Sequence, residues 1–203
     1  MAKIKHTKTE LKAQREALQR FERFLPMLQL KKQQLQSEIQ RVDNELAENR
    51  GKLDAAEAEL APWIRLFSEP GAADTLRETV VVDEVLLDSG NIAGVDIPVF
   101  KDVRFKSIEV DLFGTPPWYD DAMAMLQRQI VLRTQRETLR RQRDAIAEEL
   151  RVTSQRVNLF EKVKIPETKE NIRVIKIYLG DEQTAAVVRG KIAKNRSPQE
   201  EAA

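Results

Sequence analysis

Residues 11–67 read LKAQREALQRFERFLPMLQLKKQQLQSEIQRVDNELAENRGKLDAAEAELAPWIRLF. Steps of seven from Leu11 pass through Leu18, Leu25, Lys32, Ile39, Leu46, Leu53, Leu60 and Phe67. A companion series three residues later passes through Gln14, Phe21, Leu28, Leu35, Val42, Asn49, Ala56 and Trp63. Fourteen of these seventeen positions are apolar. A seven-residue repeat falls short of two whole 3.6-residue turns, so the stripe stays against a partner helix only if the pair supercoils left-handedly. The stretch therefore predicts a coiled-coil helix. Thr7-Lys8-Thr9-Glu10 reads as a capping box that starts the helix near residue 7, and Pro70-Gly71 stops it. About sixty residues rising 1.5 Å each span roughly 90 Å, a rod longer than a compact domain of this size. Pro26 predicts a kink near 22–26, and Pro62 a kink or break near 58–62, because proline lacks a donor and crowds the carbonyl one turn back.

A second helix follows from the other end of the chain. Thr115-Pro116-Pro117 offers an N-cap with proline in the first turn, and Asp120 and Asp121 complement the helix dipole. Met125, Leu132, Leu139, Ile146, Thr153 and Phe160 step by seven, joined by Leu150 and Val157. Beyond Pro166 the apolar stripe resumes out of phase at Ile172, Ile175 and Leu179, so Pro166 is expected to bend or restart the helix. Residues 191–203 carry Pro198 and little apolar content and are expected to fray. Between the helices, Thr79 to Leu87, Val95 to Phe100 and Val103 to Val110 are rich in β-branched residues and bounded by turn residues. They predict a small antiparallel hairpin or three-stranded patch leaning on the helices or on a partner. The expected fold class is mostly α: a long antiparallel two-helix coiled coil with a small β-hairpin insert. Its parts are an N-terminal helix over 1–69, the insert over 70–117 and a C-terminal helix over 118–203.

Composition narrows the chemistry. Of the 203 residues 33% are charged, above the roughly 25% of an average globular chain, and Ala, Glu, Lys, Leu and Arg make up close to half. There is no cysteine and one histidine, His6, just outside the helix start, so thiolate sites and imidazole triads lack their parts. No glycine-rich phosphate loop occurs. Gly90-Asn91-Ile92-Ala93-Gly94 is the nearest approach, and turn geometry accounts for it. Paired carboxylates such as Asp83-Glu84, Asp120-Asp121 and Glu148-Glu149 have nothing to desolvate them. The chain is expected to be non-catalytic, with no catalytic, cofactor or metal-ligating residue. No apolar run approaches the roughly 20 residues that span a bilayer, which points to a cytoplasmic chain.

The net charge of +1 conceals segregation: residues 1–32 hold nine basic side chains against Glu10, Glu16 and Glu22, whereas residues 70–121 hold four basic against eleven acidic. Arg128, Arg133, Arg136, Arg140, Arg141 and Arg143 crowd sixteen residues. A nucleic-acid contact would use such a run. Acidic residues balance it and no aromatic platform interleaves, so a solvated or protein-facing surface is the reading adopted. Lys32 and Asn49 interrupt the seam. They either set register or partner choice, or mark where the partner helix ends.

Three stretches carry a family resemblance: His6-Thr7-Lys8-Thr9-Glu10-Leu11, Asn91-Ile92-Ala93-Gly94-Val95-Asp96-Ile97-Pro98, and Arg156-Val157-Asn158-Leu159-Phe160-Glu161-Lys162-Val163-Lys164-Ile165-Pro166. In this order they resemble the D subunit of the V-type (V/A-type) rotary ATPases. The resemblance implies a central rotor shaft whose terminal helices enter the A3B3 catalytic head, with the F subunit beside it and a ring-capping subunit at the lower end. It implies a chain peripheral to the membrane, turning between an ATP-handling head and an H+ or Na+ translocating ring. Basic ends such as Lys3, Lys5, Lys8, Lys12, Lys191 and Lys194 would then face the head. The alternative readings are a prefoldin-like chaperone, whose helix tips would be apolar rather than charged, and another coiled-coil adaptor.

Overall fold

The computed structural model describes residues 4–63, 72–108 and 115–200. Helix α1 covers Lys8–Leu60, α2 Ala72–Thr79, strands β1 and β2 Val82–Ile92 and Val95–Phe105, α3 Tyr119–Leu159, and α4 Ile165–Glu200, with a π-helical turn over Phe160–Lys164 between the last two. The expected seam end at Phe67, the stop at Pro70-Gly71 and residues 109–110 of the expected third strand lie outside the described residues. The chain divides into two compact units, one of residues 32–152 and one of residues 1–31 with 153–203.

The start of α1 follows its cap. The Glu10 amide donates to Thr7 Oγ1 at 3.2 Å, and the Leu11 amide to the Thr7 carbonyl at 3.0 Å. The Glu10 carboxylate accepts from Gln14 Nε2, at 2.8 Å. The helix continues through Pro26 and ends at Leu60, with a 3-10 turn at 61–63 around Pro62. A proline that early in the turn tightens the ladder and ends the α-helical register.

In the larger unit, α1 and α3 run antiparallel: Asp43 meets Arg143, Asn49 meets Gln135, Glu57 meets Arg133 and Glu59 meets Arg128. The buried residues of α1 are Leu35, Val42, Asn49, Leu53 and Ala56, so the companion series forms the deep side of the seam. Leu35, Val42 and Ile146 are fully buried and pack with Ile97 of β2. A second cluster joins Leu53, Ala56 and Leu132. A third joins Leu76 of α2 to Tyr119 and Ala122 of α3, where the Thr79 and Tyr119 hydroxyls also meet. Helix α2 was not foreseen, and it takes Thr79 out of the expected first strand.

Among the described residues the sheet has two strands, the hairpin of the two expected arrangements. Val95 to Phe100 and Val103 to Phe105 belong to one strand, β2, because irregularities in pairing let both halves pair with β1, from Ile92↔Val95 to Val82↔Phe105. The turn at Ala93-Gly94 has φ of 52° and 81°. Positive φ at both central residues is the primed hairpin geometry, which favours Asn-Gly. Alanine stands first here because its methyl packs against the cluster around Leu35 and Ile146. Gly90 is no turn residue. A Cβ there would lie 2.9 Å from Val99 Cγ2, so the glycine serves close strand approach.

Helix α3 begins at Tyr119, not at Thr115. Proline disfavours α geometry in the residue before it, so Pro117 holds Pro116 out of the helix. The Tyr119 amide closes a turn on the Pro116 carbonyl at 3.1 Å, and Ala122 N–H bonds Trp118 at 3.1 Å.

In the smaller unit, the N-terminal part of α1 pairs antiparallel with the C-terminal helix: Phe21 stacks near Phe160 with centroids 5.2 Å apart, Glu22 meets Lys169 at 3.0 Å, and His6 lies against Tyr178 at 4.8 Å. The π turn explains the phase change read from the sequence. Ile165 N–H reaches back five residues to the Phe160 carbonyl, which adds one residue to the turn. The series Ile146, Thr153, Phe160 accordingly continues at Thr168 and Ile175, one position late, and the series Leu150, Val157 continues at Ile172 and Leu179. Pro166 sits just after this turn, where the wider ladder relieves the clash and missing donor that proline brings. Helix α4 then runs to Glu200, through Pro198, where residues 191–203 had been expected to lose helical order.

Candidate functional site

The larger unit joins three elements at one level, and glutamine and asparagine do the joining. Helical periodicity puts Gln135 and Gln142, seven apart on α3, on one face. Asn49, 5% exposed, donates Nδ2 to Gln135 Oε1 at 3.3 Å across the helix pair. Gln142, 7% exposed, donates Nε2 to the Pro98 carbonyl at 2.6 Å and so ties β2 to α3. Thr138 is buried beside them and bonds back to the Thr134 carbonyl of its own helix at 3.0 Å. These residues border a cavity of about 290 Å³ whose other walls include Glu45, Glu48, Lys52 and Phe100. Asn49 Oδ1 and both polar atoms of Gln129 are buried without a hydrogen-bond partner. Of this layer the sequence pointed only to Asn49. The interval of seven between Gln135 and Gln142 was the available signal.

The arginine run on α3 is largely spent on the chain's own carboxylates. Arg128, Arg133 and Arg143 pair with Glu59, Glu57 and Asp43 of α1 at 3.0, 3.4 and 2.7 Å, and Arg141 pairs with Glu137. The Asp43 carboxylate raises the Arg143 pKa by hydrogen bond and by charge. Arg136 and Arg140 instead line an open groove of about 510 Å³ with Arg50 and Asp54 of α1. All these pairs are solvated, so they guide alignment more than they stabilise.

Each carboxylate pair singled out in the sequence is exposed or half-exposed. Glu148 is held below its ordinary pKa by the Arg151 hydrogen bond, which keeps it ionised and unsuited to proton transfer near neutrality. Among the described residues no group of three or more His, Cys, Asp or Glu side chains is placed to hold a metal. No described helix is long and apolar enough to cross a membrane. Lys32 is half-buried in the seam. Of the three stretches with family resemblance, the first is the cap of α1, the second the hairpin turn that enters the Leu35 cluster, and the third the π turn.

The family model for the ATP synthase D subunit matches residues 10–195. The chain is 46% identical over 195 residues to the V-type ATP synthase D subunit of Borreliella burgdorferi, covering 96% of this chain and 95% of that one. It is 34% identical over 198 residues to the V-type ATP synthase D subunit of Chlamydia muridarum, covering 98% of each. It is 32% identical over 193 residues to that of Chlamydia pneumoniae, covering 95% and 92%.

Proposed function

The chain belongs to the family of V-type ATP synthase D subunits, which are non-catalytic and stand in the central stalk, and from that membership we propose that its helix pairs carry torque between a catalytic head and an ion-translocating ring. The observation that supports this most directly is the family match over nearly the whole chain combined with a helix pair packed along a repeating apolar seam. Two interlocked helices resist twisting better than one, since turning either must disturb side chains packed along its length.

A shaft that shifts the populations of identical catalytic sites must contact them unequally, because equal contacts bias nothing. The segregated charge of the sequence supplies such inequality. In this reading the partners are the A3B3 head, the F subunit and the ring-capping subunit. The chain lies in the cytoplasm, peripheral to the membrane through its complex. The basic ends, Lys5, Lys8 and Lys12 with Lys191 and Lys194, are the segments assigned to the head.

The test is Leu53→Asp in the reconstituted complex. Leu53 is 3% exposed against Ala56 and Leu132. Losing that packing costs about 2–5 kcal/mol. ATP hydrolysis is expected to persist while ion transport per ATP falls. An unchanged coupling ratio in a variant shown to be thermally weakened would refute the torque reading. Failure of the tagged chain to co-purify with P-loop ATPase subunits would refute the assembly as well.

A further inference from the structure

Six arginines crowd residues 128–143 of α3, and four of them are committed within the chain. Arg128, Arg133 and Arg143 reach Glu59, Glu57 and Asp43 of α1, and Arg141 reaches Glu137 one turn back. Arg136 and Arg140 take part in no ion pair among the described residues. Four apart, they share one face of α3, and both line the open groove of about 510 Å³ between α3 and α1. The groove has an apolar floor, with Leu53 buried and Leu46 half-buried, and the small side chain of Ala47 keeps the α1 wall low. Its described lining comes from α1 and α3, so the hairpin does not cover it.

An occupant gains by covering the floor, but a guanidinium that it covers must find a carboxylate or lose its hydration uncompensated. The occupant that answers both demands is amphipathic and acidic. A helix seated in a groove anchors through apolar residues one turn apart. Carboxylates beside them, also one turn apart, match the spacing of Arg136 and Arg140, whose planar guanidiniums take carboxylates through paired N–H donors. Nucleic acid fits the same surface badly. A helix can set its carboxylates on the α3 side alone, whereas a phosphate backbone carries charge at every step and would meet Asp54 on the α1 wall, with no aromatic side chain in the lining to stack on a base. We propose that the groove between α1 and α3 is a docking surface for an acidic amphipathic helix of a partner protein, held over the apolar floor by ion pairs to Arg136 and Arg140. The assignment uses the larger unit alone and is independent of the torque reading.

The test is zero-length coupling in the full-length chain. Arg136→Lys and Arg140→Lys keep the positive charge and supply an amine that a water-soluble carbodiimide joins to a carboxylate in contact with it. The tagged variants are isolated from their own cells with the proteins they hold, coupled, and the bonded peptides sequenced by mass spectrometry. Each substituted position is expected to bond an aspartate or glutamate of another polypeptide, in a stretch with apolar residues three and four apart. Arg136→Glu combined with Arg140→Glu is expected to keep the helical circular dichroism of the parent, since neither arginine serves an ion pair of the chain, and to lower retention of that polypeptide about ten-fold or more. Reversing the two bonded carboxylates to lysine is expected to restore it. Bonds only to Asp54 or Glu57 of the same chain, bonds to a second copy, no bond to another polypeptide, or retention unmoved by the charge reversal overturns the proposal. So does retention that nuclease abolishes. ATPase subunits held without a bond at these positions would refute the docking surface and leave the torque reading standing.

Discussion

Ile146→Ala probes the place where α1, α3 and the hairpin share one core. Ile146 is 0% exposed and packs with Leu35 and Val42, also 0% exposed, and with Ile97 at 5%. The substitution removes three carbons from a fully enclosed site, about 2.4 kcal/mol at roughly 0.8 kcal/mol per methylene. The residual cavity raises this to about 3–4 kcal/mol, within the usual span for isoleucine to alanine. For a chain of this size about 1 kcal/mol moves Tm by roughly 2–4 °C, so the melt followed by circular dichroism should fall by about 6–16 °C. In urea the midpoint should fall with the slope unchanged. The same measurement on Ile97→Ala and on the double variant closes a thermodynamic cycle. Side chains in contact should show a coupling of about 0.5 kcal/mol or more, whereas independent sites add within error. Additive effects would mean that the hairpin does not pack on the helix pair, and an unchanged melt in Ile146→Ala would remove the shared core altogether.

Gln129→Leu should raise the thermal midpoint, since both polar atoms of Gln129 are buried without partners and leucine removes a desolvation cost of about 1–3 kcal/mol; a lower midpoint would show that the amide is satisfied. Glu170 is held below its ordinary pKa of 4.5, first by the hydrogen bond from Arg173 and then by its charge. A depressed folded-state pKa contributes stability above the unfolded value that disappears as pH falls through the folded one, so this contribution is present at neutrality and lost below about pH 4.5. In a carboxyl-resolved NMR titration the Glu170 midpoint should rise toward 4.5 in Arg173→Gln and in high salt; a midpoint indifferent to both would contradict the pairing. Leu53→Asp, set out above, addresses coupling.

The heptad series from Leu11 was enough to predict a helix and its buried face, because a repeat of seven is a property of the chain in one dimension. Leu35, Val42, Leu53 and Ala56 are buried as the seam requires. The cap at Thr7 was likewise local, its partner lying three residues away. The phase change after Pro166 was visible as a pattern, but its cause was not. A π turn forms where the helix can take up an extra residue while its apolar stripe stays against the partner, and that depends on both helices. The merging of two expected strands into β2 depended on where β1 pairs across them.

The candidate site divides in the same way. Asn49 stood out as a polar break in an apolar series, so its oddity was written in the sequence. Its partner Gln135 lies 86 residues away, and Gln142 reaches a backbone carbonyl on a strand 44 residues away. The arginine run looked like a basic surface in one dimension and became a set of cross-helix ion pairs once Asp43, Glu57 and Glu59 were brought alongside. Periodicity, capping and the family motifs are short-range facts that any chain carries with it before it folds. Which polar group meets which is decided only when the insert turns the chain back on itself, because a hydrogen bond needs its partner within about 3 Å and correctly aligned.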